Sequence, residues 1–210
     1  MKSGEAEVTV ETTQGKGSAR ERLLDAARRV FAQSGSAGAT TRRIAEEAGV
    51  NEVTVFRHFG SKDALLDEAA RTHTTGEHPL PLPETPKRPQ AELTQWCAGE
   101  IERLRGSREF ILQCLAEGTE HPEMAESGAL PLTQGASELR RYVEKLHQSG
   151  RLKHADDRDV ATTMLLATMY SDALGRESLP EVHVTDSARA PALYVRMFLR
   201  TLGLRVSPDV

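Results

Sequence analysis

Cysteine is scarce: only Cys97 and Cys114 occur in 210 residues. They lack the C-x-x-C spacing of zinc or thioredoxin-like sites, and a disulfide scaffold needs more cysteines in fewer residues. Both are expected as reduced thiols. Long apolar runs are missing too. The longest, "ATTMLLATMY" at 161–170, is too short to span a bilayer, and the polar, acidic N-terminus carries no leader-like apolar stretch. A cytoplasmic protein with no membrane partner is the expectation. Strand-like alternation is confined to "EVHVT" at 181–185, too short to form a sheet without a partner. Catalytic signatures are absent as well: there is no H-E-x-x-H, G-x-S-x-G, P-loop or G-x-G-x-x-G, and the seven histidines are scattered. The sequence thus offers no catalytic residue, no metal-ligand set and no cofactor, and an enzyme is not expected.

What the sequence does contain is helical punctuation. Residues 1–17 show no periodicity and are expected as a flexible tail. Ser18 and Glu21 form a capping box, Leu23, Ala27, Val30 and Phe31 recur on one face, and Gly35 supplies a left-handed stop. Thr40 caps "TRRIAEEA", whose apolar stripe is Ile44, Ala45 and Ala48, and Gly49 ends it. Asn51 caps "EVTVFRHF" after only a turn, so two short helices meet through a glycine as in a helix-turn-helix. Val50, Val55 and Phe59 have the spacing to turn inward; Glu52, Val53, Thr54, Arg57 and His58 are left outward. Ser61 starts a fourth helix closed by Leu65, Leu66 and Ala69. Residues 73–89 hold five of the ten prolines and read as a connector. Beyond it, helical patterns run over about 90–105, 107–120, 133–149, 157–174 and 187–203. The fold expected is all-α: a helix-turn-helix bundle at 18–72 and a second helical domain at 90–210.

Charge divides along the same boundary. Although the net charge is −4, Lys16–Arg71 carries ten basic against eight acidic residues, and the balance reverses from Thr72 onward.

The stretch "TTRRIAEEAGVNEVTVFRHFGSKDALL", Thr40–Leu66, placed after one amphipathic helix, resembles the TetR family of bacterial transcriptional regulators. The resemblance covers roughly residues 18–72. It implies a homodimeric, repressor-like protein that binds a palindromic double-stranded DNA operator, with a C-terminal domain that receives a small-molecule effector and moves the two DNA-reading domains. By motif position, Thr40, Thr41, Arg42 and Arg43 fall where family members contact phosphates. Asn51, Glu52, Val53 and Thr54 open the recognition helix: Asn51 can cap, Glu52 can accept from a cytosine amino group, Val53 can pack on a thymine methyl, and Thr54 matches a phosphate-contacting threonine. Phe56 stands where many members have tyrosine, so that hydroxyl is missing and ring packing on sugar takes its place. His58 matches a phosphate-contacting position, Arg57 suits DNA or a plain surface equally, and Lys62 makes better sense facing an anion than at the start of a helix.

The resemblance also places the last two helices at a two-fold interface, with Val160, Leu165, Val195, Phe198, Leu199 and Leu202 as its candidate residues; by pattern alone these are equally the core of one domain. Large or polarizable residues of the middle helices, Trp96, Phe110, Cys114, Met124, Met164 and Tyr170, are candidates to line a pocket for a small apolar or aromatic effector. Three alternatives stay open at this level: a redox-responsive regulator pairing Cys97 with Cys114, a metal-responsive one using His121, His147, His154 or the cysteines, and a helical interaction module without DNA binding.

Overall fold

A computed structural model describes residues 17–74, 80–120, 122–154 and 156–206. The tail at 1–16, His78, His121 and the side chain of His73 lie outside the described residues. Among the described residues there are nine α-helices and no strand: α1 (Ala19–Gly38), α2 (Thr41–Ala48), α3 (Glu52–Phe59), α4 (Lys62–Thr74), α5 (Pro89–Gly106), α6 (Arg108–Glu117), α7 (Pro122–Gln148), α8 (Arg158–Gly175) and α9 (Ala190–Thr201). None is long and apolar enough to cross a membrane.

The first helix starts where its capping box says. Glu21 N–H donates to Ser18 Oγ at 3.2 Å, and Ser18 N–H donates to Glu21 Oε2 at 2.7 Å. Regular geometry ends at Gly35, whose φ of +65° breaks the helix ahead of a last short turn. Leu23, Ala27, Val30 and Phe31 then pack against Ile44, Ala45, Val55, Leu65, Leu66 and Ala69 to form the N-terminal core.

Phe110, Cys114 and Met124, candidates to line an effector pocket, fall in the same cluster. All three are buried there, with the Phe110 ring centroid 5.3 Å from that of Phe31. They fasten α6 to α1 and α7 to α4. Each large side chain buried there is worth about 1.5–3 kcal/mol, so the two halves of the chain share one apolar joint.

The second core gathers α5, α7, α8 and α9 around Leu93, Trp96, Ile101, Leu104, Leu139, Tyr142, Leu165, Met169, Val195 and Leu199. The seventh helix begins at Pro122 rather than near 133, and Pro131 lies inside it. A mid-helix proline removes an N–H and normally reads as a break. Here two carbonyls at the proline accept side-chain donors: Arg103 Nη2 donates to Pro131 O at 3.1 Å and Tyr170 OH to Leu132 O at 2.5 Å, which ties α5 and α8 to this stretch.

Candidate nucleic-acid interface

Two short helices and the turn between them form the site. Thr40 Oγ1 accepts from Arg43 N–H at 3.2 Å and begins α2. Gly49, at φ +66° and ψ +37°, turns the chain where a side chain would be strained. Asn51 Oδ1 accepts from Val53 N–H at 2.9 Å and begins α3. Arg22 of α1, which the sequence did not single out, holds this turn from behind: its Nε donates to Ala48 O at 3.2 Å and its Nη1 to Gly17 O at 3.0 Å. Only a tertiary contact reveals that role, because nothing in local spacing links residue 22 to residue 48.

The helix faces divide as the spacing predicts. Val55 is fully buried, and Val50 and Phe59 pack partly against the core. Val53 is 71% and Phe56 51% exposed, a large apolar exposure for so short a helix, and Asn51, Arg57 and His58 are exposed beside them. The Arg20 guanidinium lies 5.2 Å over the Phe59 ring and pairs with Glu68, which braces the end of α3.

Several expected contact residues already have partners inside the chain. Thr41 Oγ1 donates to Glu52 Oε1 at 2.5 Å, so a phosphate-directed hydroxyl and a base-directed carboxylate are bonded to each other. This joins the starts of α2 and α3 and satisfies a carboxylate that phosphates would repel. Lys62 Nζ donates to Ser36 O at 2.8 Å, so its ammonium is first a clamp on the α1–α2 connection rather than an open cation. Arg43 Nη2 reaches Gln33 Oε1 at 3.2 Å. Arg42 Nε contacts Glu46 Oε1 at 2.9 Å with both side chains mostly exposed; that carboxylate holds the guanidinium above its ordinary pKa. An exposed pair of this spacing is screened by solvent and is easily exchanged for another anion. Thr54 is partly exposed, its backbone N–H closing the first turn on Asn51 O at 2.8 Å.

The remaining candidates are dispersed. Trp96 is buried with Nε1 donating to Glu138 Oε2 at 3.0 Å, Tyr170 is partly buried beside the same core, and Met164 is 63% exposed on α8. With Phe110, Cys114 and Met124 in the other cluster, the six do not share one chamber. Of the interface candidates, Leu165, Val195, Phe198, Leu199 and Leu202 are buried within the chain's own core, whereas Val160 is 64% exposed. A groove of about 260 Å³ nevertheless opens between α8 and α9, lined by Met164, Thr168, Tyr194, Met197, the edge of Phe198 and Thr201. The outer surface of these helices is therefore made by Val160, Met164 and Met197, residues one step around the helix from the buried stripe.

Cys97 and Cys114 lie in different clusters, both free and buried. Burial, then the charges of Asp172 and Glu100, push the Cys97 thiol up, and burial with Glu117 takes Cys114 to about 12. Neither is a reactive thiolate near neutral pH, so the redox pairing lacks both proximity and activation. No group of three or more metal-ligating side chains is assembled among the described residues.

Comparison with known proteins agrees with this geometry. Residues 23–69 match the profile of "Bacterial regulatory proteins, tetR family". The chain is similar to the HTH-type transcriptional repressor AcnR of Corynebacterium efficiens, 44% identical over 52 residues that make up 25% of this chain and 28% of that one. It is likewise similar to the HTH-type transcriptional repressor KstR2 of Rhodococcus jostii, 41% identical over 59 residues, 28% of this chain and 29% of that one. The matches thus span under a third of the length of these curated repressors. Over most of the chain the similarity is structural: a transcriptional regulator from Rhodococcus sp. Rha1 superposes with a TM-score of 0.66 at 25% identity, covering 91% of this chain and all of that one. The relatives are regulators rather than enzymes, and with the motif and the turn geometry in agreement, the helix-turn-helix segment at 23–69 is that of the TetR family of bacterial regulatory proteins.

Proposed function

We propose that the protein is a homodimeric DNA-binding transcriptional regulator of the repressor type, which reads a palindromic operator in the cytoplasm and releases or holds it in response to a small apolar or aromatic effector. The observation that carries this is the outward face of α3: Val53, Phe56, Arg57 and His58 are exposed on a helix whose other side is fixed by the core, by Asn51 and by the Thr41–Glu52 bond. A helix held this way can enter a major groove with its first turn toward base edges. Residues 18–72 act as the reading domain, 73–89 as the connector and 90–210 as the dimerisation and effector domain. The surface of Val160, Met164 and Met197 supplies the apolar contact between two copies. The effector is received by the C-terminal core near Trp96 and Tyr170. It acts through α6, which is joined to α1 by Phe110 and by Glu117 Oε1 accepting from Ser36 N–H at 2.8 Å.

Phosphate anchoring and base reading make separate predictions. Replacing Arg42 by Ala should weaken binding to every duplex alike and reduce the salt slope by about one unit. Filter binding or fluorescence anisotropy across a salt series checks this, and an unchanged slope removes Arg42 from the phosphate contacts. Base preference should follow Val53, whose side chain is open, more than Glu52, which Thr41 already holds. Val53→Gln should alter the selected operator, with about 1–3 kcal/mol lost per base pair no longer matched. If the variant and the parent select the same sequence, readout lies elsewhere.

A further inference from the structure

A second cleft, of about 440 Å³, lies at the seam between α1 and the elbow joining α5 to α6. Four guanidiniums border it, Arg28 and Arg29 from α1 and Arg105 and Arg108 from the elbow, together with the backbone of Gly106–Phe110, where α6 begins. We propose that this cleft is a binding site for a small multivalent anion bearing carboxylate or phosphate groups, and that its occupant clamps the N-terminal bundle to the C-terminal half.

The arginines are held in place without being used up. Arg105 Nη2 donates to the buried Asp172 at 2.6 Å, and its Nη1 reaches Glu102, which is 70% exposed, at 2.6 Å. Arg108 donates from Nε to Leu174 O and from Nη2 to Ser178 Oγ, each at 2.9 Å. Arg29 Nε pairs with Glu47 at 2.9 Å, both about half exposed, and Arg28 with Asp25 one turn away. The bonds named occupy at most two donors of each guanidinium, which leaves the rest of each fork for a carboxylate or phosphate. Surface partners such as Glu102 and Glu47 are held weakly in high dielectric and can give way.

Along the cleft wall four guanidiniums stand among three carboxylates, Asp25, Glu109 and Glu177, and the further partners Glu47 and Glu102 are solvent-exposed side chains that an anion can displace. Burial lowers the pKa of Arg28 even against the pull of Asp25, and neighbouring Arg29 lowers it further. An incoming anion would relieve that repulsion, and the start of α6 adds backbone donors of the favourable polarity. The volume fits a compact molecule rather than a polymer. Because two arginines come from each half, one occupant must bridge both. None of this depends on whether the chain binds DNA.

The test uses the full chain titrated with inorganic pyrophosphate and, separately, with citrate, chloride being adjusted to hold ionic strength constant. The expected result is a saturable rise in thermal midpoint with slower hydrogen exchange at 25–32 and 106–110. Whichever probe acts at the lower concentration identifies phosphate or carboxylate as the preferred group. Arg28→Gln/Arg29→Gln should raise the concentration needed at least tenfold. Arg108→Lys, which keeps the charge but loses the fork, should weaken the response several-fold. Arg140→Gln/Arg141→Gln, in a separate basic groove between α7 and α8, should leave it unchanged. A response that does not saturate, that survives in both cleft variants, or that falls equally in the α7 variant would overturn the proposal.

Discussion

The double substitution Met164→Glu/Met197→Glu is expected to yield a folded monomer that binds its operator about 10²–10⁴-fold more weakly than the parent. Both methionines are more than 60% exposed, so charges there leave the chain's own core intact. In the proposed dimer, however, four carboxylates would be brought into one apolar seam, where each loses its hydration without a partner. Loss of pairing removes the effective concentration that one bound half-site gives the other, which sets the size of the drop. Phe198 and Leu202 are poor places for the same experiment: 5% and 0% exposed, they would unfold the chain rather than separate two copies. Sedimentation with circular dichroism checks the outcome. A double variant that remains dimeric places the interface on another surface.

Asp172→Ala should cost about 3–5 kcal/mol of folding stability, a large share of the 5–15 kcal/mol typical of a domain. Its carboxylate is completely buried at the meeting of α5, α8 and α9. It accepts from Arg105 Nη2 at 2.6 Å, from Arg176 Nε at 2.9 Å and from Tyr194 OH at 2.6 Å. Arg176 also donates to Thr185 O at 2.6 Å and His183 O at 3.2 Å, so the segment between α8 and α9 hangs on the same cluster. Removing the acid leaves two partly buried guanidiniums without their common anion.

Burial alone would raise the Asp172 carboxyl, but the bonds from Arg176, Tyr194 and Arg105 overcome it and hold the group at about 2. Because the folded value lies below the unfolded one of about 3.9, the stabilisation is complete above about pH 5 and is lost as pH falls toward 2. Asp172→Asn should therefore show a shallower loss of stability over that interval than the parent. Denaturant midpoints at a series of pH values measure the difference, and parallel curves would mean that the carboxylate carries no such linkage.

The N-terminal half was legible because its signals are local. Ser18, Thr40, Asn51 and Ser61 each cap the helix they precede, and Gly35 and Gly49 take the positive φ that ends the preceding one. The inward set of Ile44, Ala45, Val55 and Phe59 follows from spacing alone. What spacing did not disclose was the partner of each exposed polar group. Thr41, Glu52 and Lys62 look outward in a linear pattern, yet they bond to one another or to Ser36 across a turn. In the C-terminal half, periodicity marks an apolar stripe without saying which chain covers it. Leu165, Val195, Leu199 and Leu202 are covered by their own chain, and the apolar side chains left exposed on these two helices are Val160, Met164 and Met197. Phe110 and Cys114 belong to the neighbouring bundle because α6 runs beneath α1, a long-range contact no window of sequence encodes. Pro131 hid the true start of α7, since local rules read a mid-helix proline as a break, whereas the helix continues through it with Arg103 and Tyr170, remote in sequence, bonded to the carbonyls of Pro131 and Leu132.

Selection of bound duplexes from a random-sequence library by the full chain, followed by affinity measurement on the winner across a salt series, tests the central claim most directly. The account predicts an inverted repeat whose half-sites are centred about 34–36 Å apart or a multiple of that, bound as a dimer, with log Kd rising steeply with log salt. A library that emerges without an enriched repeat, at low salt as well as near-physiological salt, would contradict the assignment of α3 as a sequence-reading helix.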